Sequence, residues 1–559
     1  PYLLCGEPLQ LDFRHADSIA QYYHMEGDCA QRLEAALLRT LRHNAGNGHT
    51  CLPRAQLLAT ASNFIHQPPE KLARALDHCI ETEELCVKMF DAVPYIYLPD
   101  LLAAEQDIAD RLNLLAKRGK NTVRELDKNI QILELTQGFA YAPLQREAIR
   151  KAMTENCLVL TGGPGTGKTT SVRGIVAMLE RMGLKLLLLA PTGRAAKRLG
   201  ELCGREAQTI HRCLGMVWQE DAGEVTFQKN EQEPLEAEAV IVDEMSMVDL
   251  PLMSALLAAL RPGCRLVMVG DPDQLPSVGP GNVFSDLIRS GRIETVALTQ
   301  IFRQAQRSAI IRAAHAVNQG ILPELRNDSG SDFFFMRRRD PQAAVDLVVE
   351  LCGRRLPENM GVDAGQIQVL CPTRKGEWGT WQLNRRLQAA LNPPAPGKGQ
   401  KVWGDTVFRQ GDRVMQIRNN YDVLWVKDDG TTGSGIFNGD VGTVEEVDPA
   451  GELLTVRFDD RVATYVSDML GELELAYAVT VHKSQGSEYR AVVLVALPAA
   501  PALMVRGVLY TGVTRARDLL VVVGDDAALG RMAANDRQQR RYSGLRWRLR
   551  QQGEGTGQV

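Results

Sequence analysis

A glycine-rich turn between an apolar run and a helix-compatible stretch constrains this chain more than any other feature. Residues 162–169 read Gly-Gly-Pro-Gly-Thr-Gly-Lys-Thr, after the apolar residues 158–160 and before the stretch 171–182, and they fit the P-loop spacing. In such a loop, backbone N–H groups surround phosphate oxygens, the lysine reaches the β and γ phosphates, and the threonine hydroxyl binds a magnesium ion. The pattern predicts a nucleoside triphosphate site formed by Gly163, Pro164, Gly165, Thr166, Gly167, Lys168, Thr169 and Thr170.

Length, charge and cysteine content narrow the class of protein without identifying it. A chain of 559 residues predicts several domains, because single hydrophobic cores stop growing near about 250–300 residues. The net charge of −4 gives no overall attraction to nucleic acid, so any such contact must come from a local groove. The 11 cysteines include no Cys-x-x-Cys pair, which predicts reduced core residues and no zinc site.

Hydropathy and the N-terminal residues predict a cytoplasmic protein. No apolar run is long enough to cross a bilayer without a charge or a proline, and the N-terminus lacks a signal-peptide pattern. We therefore expect no membrane partner. Because Pro1 is not a natural start residue, the sequence also indicates that an upstream segment has been removed.

Apolar runs that alternate with helical segments predict two α/β units, each with a parallel sheet covered on both faces. The first series of runs is 158–160, 186–189, 240–242 and 266–269, and the second is 367–370, 491–495 and 519–523. Two short alternating stretches inside the first unit predict a β-hairpin at about 215–230. The predicted domains are a helical N-terminal domain at 1–135, a first α/β domain at 136–330, a second at 331–395 and 476–535, a small β-barrel at 396–475 and a polar tail at 536–559.

Side chains suited to phosphate chemistry follow further apolar runs. Asp243 and Glu244 end the run at 240–242, where Asp243 would support magnesium and Glu244 would polarise the attacking water as a general base. We assign Gln274, after 266–269, to sensing the γ-phosphate, because an amide both donates and accepts hydrogen bonds. Arg303 and Arg515 are the two candidates for an arginine that stabilises charge in the transition state.

Seven motifs in order resemble those of superfamily 1 helicases, and the chain is most similar to RecD-like DNA helicases of the 5′→3′ branch. They are the P-loop, residues 190–196, Asp243-Glu244, residues 270–276, residues 301–303, residues 479–488 and residues 513–516. The resemblance spans about residues 140–525. It implies an α/β fold of two tandem RecA-like P-loop domains, with ATP and Mg²⁺ in the cleft between them and single-stranded DNA across both.

The resemblance also implies roles for individual residues. Gln145 matches the position that reads adenine, Phe302 matches an aromatic near the base, and Glu488 matches a residue that faces the nucleotide from the second domain. The residues that fall in DNA-contacting motifs are Pro191, Thr192, His211, Thr373, Arg374, Thr480 and His482. Hydroxyls, amides and cations suit this role, since they bind phosphate oxygens without reading bases.

Accessory segments resemble parts of the same family. The hairpin corresponds to a pin that splits duplex DNA, and residues 396–475 resemble an SH3-like barrel. The N-terminal region resembles a partial helix-hairpin-helix segment at 1–25, followed by a winged-helix-like part. Residues 9–13 depart from the Gly-x-Gly turn that binds backbone phosphate in such segments.

The resemblance predicts an ATP-dependent helicase that acts as a monomer on single-stranded DNA and at fork or duplex junctions. Two alternatives stay open: an ATP-gated DNA-binding or remodelling factor that does not unwind, and a motor subunit of a nuclease complex. The sequence shows no nuclease-like cluster of acids and lysine, so in the second case a partner would cut the DNA.

Overall fold

The structure is a computed structural model that describes residues 1–6, 9, 11–117, 121–219, 224–302, 306–448, 452–537 and 541–554. Its strands are, in chain order, β1 (Cys51–Pro53), β2 (Cys86–Phe90), β3 (Val93–Tyr97), β4 (Cys157–Gly162), β5 (Leu186–Ala190), β6 (Gln208–Thr209), β7 (Met216–Gln219), β8 (Glu224–Phe227), β9 (Ala239–Val242), β10 (Arg265–Gly270), β11 (Glu294–Leu298), β12 (Phe333–Arg337), β13 (Ile367–Cys371), β14 (Gln400–Trp403), β15 (Thr406–Arg409), β16 (Arg413–Gln416), β17 (Asn420–Lys427), β18 (Thr432–Ile436), β19 (Val441–Val447), β20 (Leu453–Phe458), β21 (Arg461–Val466), β22 (Leu473–Leu475), β23 (Ala478–Thr480), β24 (Tyr489–Ala496) and β25 (Ala516–Gly524).

The α-helices lie between these strands and at both ends of the chain. They are Phe13–Tyr22, Ala30–Gly46, Arg54–Ile65, Pro69–Glu81, Pro99–Lys117, Leu126–Gln137, Pro143–Thr154, Lys168–Arg181, Gly193–Cys203, Ile210–Leu214, Leu250–Ala258, Val283–Ser290, Ala309–Asn318, Pro341–Glu350, Leu356–Met360, Thr380–Leu391, Arg506–Val513, Asp526–Ala534 and Leu545–Glu554. Within the described residues, no helix is long and apolar enough to span a lipid bilayer.

The N-terminal region combines helices with a small antiparallel sheet. Helices Ala30–Gly46, Arg54–Ile65 and Pro69–Glu81 share one apolar core, and β1 and β2 pair on either side of β3. The order helix, strand, two helices and two-stranded wing is winged-helix-like. Helical periodicity did not predict these strands, because they are only 3–5 residues long and keep several side chains exposed.

The first α/β sheet is parallel and has the strand order β11-β4-β10-β9-β5-β6 among the described residues. Its central strands β4, β9 and β10 are almost fully buried, because helices pack on both faces of the sheet. The strands run in one direction, so the residues that follow β4, β9 and β10 meet at one edge of the sheet.

The second α/β sheet is also parallel, with the order β12-β25-β24-β13-β23 in the part of the chain that the structure describes. Apolar clusters cover its two faces, and the helices Ala309–Asn318 and Arg506–Val513 belong to the face nearer the first domain. The predicted α/β fold with two RecA-like sheets is confirmed.

A barrel and a hairpin are inserted into these two units. Strands β16–β22 form one antiparallel sheet in the order β18-β17-β21-β20-β19-β16-β22, whose buried side chains form one apolar core. Within the first unit, β7 and β8 pair with Met216 opposite Phe227 and form the predicted hairpin. Residues 220–223, at its tip, lie outside the described residues.

The C-terminal residues differ from the simple polar tail that the sequence predicts. Helix Leu545–Glu554 buries Leu545 and Leu549 completely, in the same cluster as residues of helices Pro99–Lys117 and Leu250–Ala258. These leucines are four residues apart and therefore lie on one helical face, although most residues between and around them are polar or basic. The segment thus joins the N-terminal region to the first α/β domain.

Candidate active site and nucleic-acid interface

The phosphate-binding turn has the backbone conformation that its glycines predict. Gly165 and Gly167 have φ angles of 72° and 83°, in the left-handed region that favours glycine. Lys168 begins the following helix, and its ammonium donates hydrogen bonds to the carbonyl oxygens of Gly162 and, at 3.4 Å, Gly163. The lysine therefore folds over the turn, where its charge would face bound phosphates.

Gln145 and Phe302 both pack against Gly167 of this turn. The Gln145 side chain accepts a hydrogen bond from the Ala142 backbone at 3.0 Å and donates one to the Gly167 carbonyl at 3.3 Å. A Cβ atom at Gly167 would overlap the Gln145 amide and would lie 2.8 Å from the Phe302 ring. The two residues that the resemblance assigns to the base thus contact the same glycine of the phosphate loop.

The acidic pair lies directly after β9. The Asp243 carboxylate accepts a hydrogen bond from the Glu244 backbone at 2.8 Å, and Glu244 has a φ of 52°, a strained conformation for a residue with a Cβ. Burial, and then the charge of Glu244, raise the pKa of Asp243, whereas Lys168 acts in the opposite direction. An additional cation would relieve this electrostatic cost.

The donor set at this position suits a magnesium ion. Thr169 and Asp243 line the same cavity as Lys168, and they offer one hydroxyl and one carboxylate. Magnesium in nucleotide sites usually takes one or two protein oxygens, with phosphates and waters completing its octahedron. The residues therefore fit the ion.

Gln274 lies in the loop after β10, which contacts the second domain. Its side chain is buried and its Oε1 atom has no hydrogen-bond partner among the described residues. The next residue, Leu275, donates its backbone N–H to Thr511 Oγ1 at 2.9 Å and accepts a hydrogen bond from Gln485 at 2.7 Å. Both partners belong to the second domain, so this loop bridges the domain interface.

Arg515 faces the nucleotide cavity from the second domain. It is 3% exposed, donates to the Ser487 carbonyl at 3.0 Å, and leaves its buried Nε without a partner among the described residues. Glu488 reaches the first domain, where it pairs with Arg198 on helix Gly193–Cys203. The buried Nε donor of Arg515, which has no partner among the described residues, fits an anionic ligand at this place.

These groups line one cavity of about 840 Å³ between the two sheets. The predicted residues that the structure brings together there are Gln145, Gly163, Pro164, Gly165, Gly167, Lys168, Thr169, Thr170, Asp243, Glu244, Gln274, Phe302, Glu488 and Arg515. Thr166 supports the turn through a hydrogen bond from its hydroxyl to the Gly163 carbonyl at 2.8 Å. Arg303 lies outside the described residues, so its predicted role stays a prediction.

Several residues at this interface were not predicted from the sequence. Arg198 pairs with Glu488, Tyr510 donates to Asp271 at 2.8 Å, and Thr511 and Gln485 contact Leu275. Tyr510, Thr511 and Gln485 lie within or beside motifs that were recognised, so proximity in sequence was the available signal. Arg198 had no such signal, because only the fold places its helix opposite Glu488.

The residues predicted to contact DNA follow strands at the outer edges of the two sheets. β5 pairs in parallel with β6, so Pro191 and Thr192 emerge beside His211. In the second domain, β13 pairs in parallel with β23 and places Cys371 opposite Thr480, so Thr373 and Arg374 emerge beside Thr480 and His482. In each domain, the candidate DNA residues therefore follow the outermost strand of the sheet and its neighbour. In the first domain, these two strands are separated from β4, which carries the phosphate loop, by β9 and β10.

An ion-pair network organises the second-domain edge. Glu474 accepts hydrogen bonds from Arg374 and, at 2.7 Å, from Lys483, which the sequence did not single out. Thr480 Oγ1 accepts a hydrogen bond from the Lys483 backbone at 3.3 Å. Burial lowers the pKa of His482 and of His211, which favours the neutral form of both imidazoles.

The two edges meet across the domain interface. Gly486, with a φ of 69°, packs so closely on Thr192 that a Cβ atom there would lie 2.8 Å from the threonine hydroxyl. Thr192 also caps helix Gly193–Cys203 by accepting a hydrogen bond from the Ala195 backbone at 3.3 Å. A shift of the second domain would therefore displace Gly486 relative to Thr192, a candidate DNA residue of the first domain.

Four family models match consecutive parts of the chain. An ATP-dependent RecD2 DNA helicase HHH domain matches residues 1–51, an AAA domain matches 145–280, an ATP-dependent RecD-like DNA helicase SH3 domain matches 383–458, and a UvrD-like helicase C-terminal domain matches 475–523. Their order along the chain agrees with the order of the structural units described above.

Whole-chain comparisons give the same result. The chain is 34% identical over 551 residues to the ATP-dependent RecD2 DNA helicase of Deinococcus radiodurans, covering 95% of this chain and 70% of that protein. It is 34% identical over 489 residues to the RecBCD enzyme subunit RecD of Mycobacterium tuberculosis, covering 81% and 79%. A structure of two coordinating Pif1 helicases at forked double-stranded DNA is similar at 19% identity and a TM-score of 0.42, covering 75% of this chain and 98% of that chain. The 34% identity to the two curated relatives shows that the chain belongs to the RecD-like family of ATP-dependent DNA helicases, and its domain set is RecD2-like.

Proposed function

We propose that this helicase uses ATP and Mg²⁺ to move along single-stranded DNA in the 5′→3′ direction and to separate duplex DNA at forks. The observation that carries the proposal is the 840 Å³ cavity, because residues of both domains line it. The candidate DNA residues lie at sheet edges that meet through Gly486 and Thr192. A change in the spacing of the domains at the cavity would therefore change their spacing on the DNA strand.

Closure of the domain interface would assemble the hydrolytic groups. Lys168 and Gln274 would bind the γ-phosphate from the first domain, while Arg515, together with Arg303, would approach it from the second domain and the domain boundary. Glu244 would orient and deprotonate the attacking water. A magnesium ion held by Thr169 and Asp243 would neutralise phosphate charge when bound. Gln145 and Phe302 would hold the adenine end behind the phosphate loop.

ATP would favour the closed arrangement only to the extent that it binds that arrangement more tightly. Arg515 would supply this difference, because it lines the cavity from the second domain and would move away from the phosphates if the domains separated. Hydrolysis and release of phosphate would reopen the interface. Alternate gripping by the two sheet edges would then convert each cycle into movement along the strand.

The DNA contacts would be largely independent of sequence. Thr373, Thr480 and Thr192 offer hydroxyls, and Arg374 offers a cation, all suited to phosphate oxygens. The hairpin β7–β8 would act as the pin that separates the strands. Its base is braced by the barrel, since the Tyr421 hydroxyl lies 3.2 Å from the sulfur of Met216.

Strand displacement on duplexes with one single-stranded tail tests the proposal. One substrate carries a single-stranded 5′ tail and the other a 3′ tail of equal length, and each is incubated with and without ATP. We expect displacement of the 5′-tailed substrate only, and only with ATP. Equal displacement of the 3′-tailed substrate would refute the direction, and DNA-stimulated hydrolysis without displacement of either would favour a remodelling factor.

We further propose that the protein acts as a monomer in the cytoplasm. The alternative is a role as one motor of a larger complex. It is motivated by the similarity to RecD of Mycobacterium tuberculosis, which is named as a subunit of the RecBCD enzyme. Gel filtration of the purified chain, alone and with candidate nuclease subunits, separates these cases. Elution of this chain at the monomer position in both samples, with and without the added subunits, supports independent action.

A further inference from the structure

The C-terminal segment 541–549, here called the strap, contacts the loop that carries Gln274. That loop, residues 271–281, is here called the sensor loop. The Arg541 guanidinium donates hydrogen bonds to the carbonyl oxygens of Ser277 at 2.7 Å, Gly279 at 3.1 Å and Gly281 at 2.8 Å, and to the Ser277 hydroxyl at 3.3 Å. One side chain thus satisfies three backbone carbonyls of the sensor loop.

The structure around Arg541 is shaped to receive its guanidinium. Gly48 has a φ of 93°, and a Cβ atom at Gly48 would overlap the Arg541 side chain. The Gly48 carbonyl accepts a hydrogen bond from the Gly281 backbone at 3.0 Å. The N-terminal domain, the strap and the sensor loop therefore meet at one point, which only a residue without a side chain at position 48 permits.

A buried carboxylate anchors the rest of the strap. Glu105, which is 0% exposed, accepts hydrogen bonds from the Gly544 backbone at 2.9 Å and from Arg548 at 3.1 Å, and Arg548 is 6% exposed. The Thr50 hydroxyl donates to the same carboxylate at 2.6 Å, and the Thr50 backbone donates to the Tyr542 carbonyl at 2.9 Å. A buried charge with this many partners fixes the position of the strap on the N-terminal domain.

The opposite side of the sensor loop contacts the second domain. Leu275 exchanges hydrogen bonds with Thr511 and Gln485, and Asp271 accepts one from Tyr510. Gln274 lies between these contacts and faces the nucleotide cavity. The sensor loop is thus attached to the second domain at residues 271–275 and to the strap at residues 277–281.

We propose that Arg541 is a positioning residue for ATP hydrolysis. Arg541 holds the sensor loop, so that Gln274 faces the γ-phosphate and Leu275 keeps its contacts with the second domain when the domains close. The proposal rests on the role proposed above for Gln274. Without Arg541, the three carbonyl groups lose their shared donor and the loop gains alternative conformations. Catalysis depends steeply on such placement, since a displacement of about 1 Å can lower a rate about 100-fold.

The charge of Arg541 is retained at neutral pH. Burial lowers its pKa to about 10, and Asp249 acts in the opposite direction. Arg541 in turn contributes, after burial, to the lowered pKa of His482.

Point variants in the full chain test the proposal by steady-state ATP hydrolysis with saturating oligothymidylate. We expect Arg541→Ala to lower kcat about 10- to 100-fold while KM for ATP changes less than about threefold, because binding groups are intact and only alignment is lost. Arg541→Lys keeps the charge but lacks the planar fork, so it should recover part of kcat. The matched control is Arg546→Ala, which removes an exposed arginine five positions along the same segment and should leave kcat unchanged.

Hydrogen exchange gives a readout that is independent of catalysis. Arg541→Ala should accelerate exchange of the backbone amides of residues 275, 277–279 and 281, while those of helix Lys168–Arg181 stay unchanged. Gly48→Ala, which displaces the guanidinium without removing it, should reproduce both the exchange and the kcat effects and serves if Arg541→Ala does not fold. Unchanged exchange in the sensor loop, or faster exchange with an unchanged kcat, would overturn the proposal.

A further variant separates this proposal from the assignment of Gln274. If Gln274→Ala leaves kcat unchanged while Arg541→Ala still loosens the loop and lowers kcat, the proposed role of Gln274 is wrong and the positioning role of Arg541 remains, acting through Leu275.

Discussion

Replacement of Arg515 tests the proposed closure of the domain interface more specifically than any other single substitution. Arg515 is 3% exposed, lines the nucleotide cavity and donates a hydrogen bond inside the second domain to the Ser487 carbonyl at 3.0 Å. Its Nε atom has no partner among the described residues, so a donor is left for a ligand. Arg515→Ala therefore removes a group that contributes little to the stability of this arrangement but would bind the γ-phosphate in the closed arrangement.

The expected effect has two unequal parts. Loss of the hydrogen bond to Ser487 costs about 1 kcal/mol of folding stability. Loss of an arginine at the γ-phosphate costs about three to five powers of ten in rate, and we expect the lower value because Arg303 is proposed to share the role. A thousandfold decrease in kcat corresponds to about 4 kcal/mol of transition-state stabilisation. The rate effect should thus exceed the stability effect several-fold.

The assay is steady-state ATP hydrolysis with saturating oligothymidylate, supported by thermal melting and by fluorescence anisotropy of single-stranded DNA binding without nucleotide. The matched control is Arg490→Ala. Arg490 lies in the same domain, is half-exposed, and forms an ion pair of 3.6 Å with Asp518. Neither of these two residues lines the cavity. We expect normal DNA binding and nearly normal melting for both variants. A kcat for Arg515→Ala within about tenfold of the parent would refute the closure mechanism.

Four further predictions concern other parts of the molecule. Lys168→Ala should abolish ATP hydrolysis and leave single-stranded DNA affinity intact, as judged by anisotropy; a strong loss of DNA binding would contradict the separation of the two sites. Replacement of residues 216–227 by a short glycine-serine link should abolish strand displacement and preserve DNA-stimulated hydrolysis, and surviving displacement would exclude the pin role. Glu474→Gln should tighten DNA binding by freeing Arg374 and Lys483, and should steepen the dependence of log affinity on log salt by about 0.7 per freed cation; an unchanged salt slope would exclude it. Burial raises the pKa of Asp286 to about 7 from the 3.8 of an unperturbed carboxyl, so the folded state binds this proton more tightly and stability falls as pH rises between these values. Asp286→Asn should therefore flatten the pH profile of the melting temperature in that range, and a profile identical to that of the parent would contradict the assignment.

Local motifs explain why many residues of the candidate active site could be predicted to lie together. The phosphate loop is one continuous turn, and its chemistry depends on residues that are adjacent in the chain. Asp243 and Gln274 follow apolar runs, and parallel strands bring such positions to one edge of a sheet. The second domain could be placed opposite this edge because residues 479–488 and 513–516 also match helicase motifs.

The contacts that sequence reasoning missed join residues that are far apart in the chain. Arg541 and Ser277 are separated by 264 positions, and Arg548 and Glu105 by 443. The strap has a polar composition, and only two leucines face the core, so its pattern resembles that of a solvated tail. The pairing of Arg198 with Glu488 likewise depends on the packing of two domains, which no local pattern encodes.

The rate of ATP hydrolysis with and without single-stranded oligothymidylate tests the central claim most directly, because it asks whether the nucleotide cavity and the two sheet edges communicate across the domain interface. Both rates are measured on the same preparation at saturating ATP and Mg²⁺. The account predicts a rate at least about tenfold higher with the oligonucleotide, since DNA would hold the domains in the arrangement that brings Arg515 to the cavity. Equal rates would contradict it.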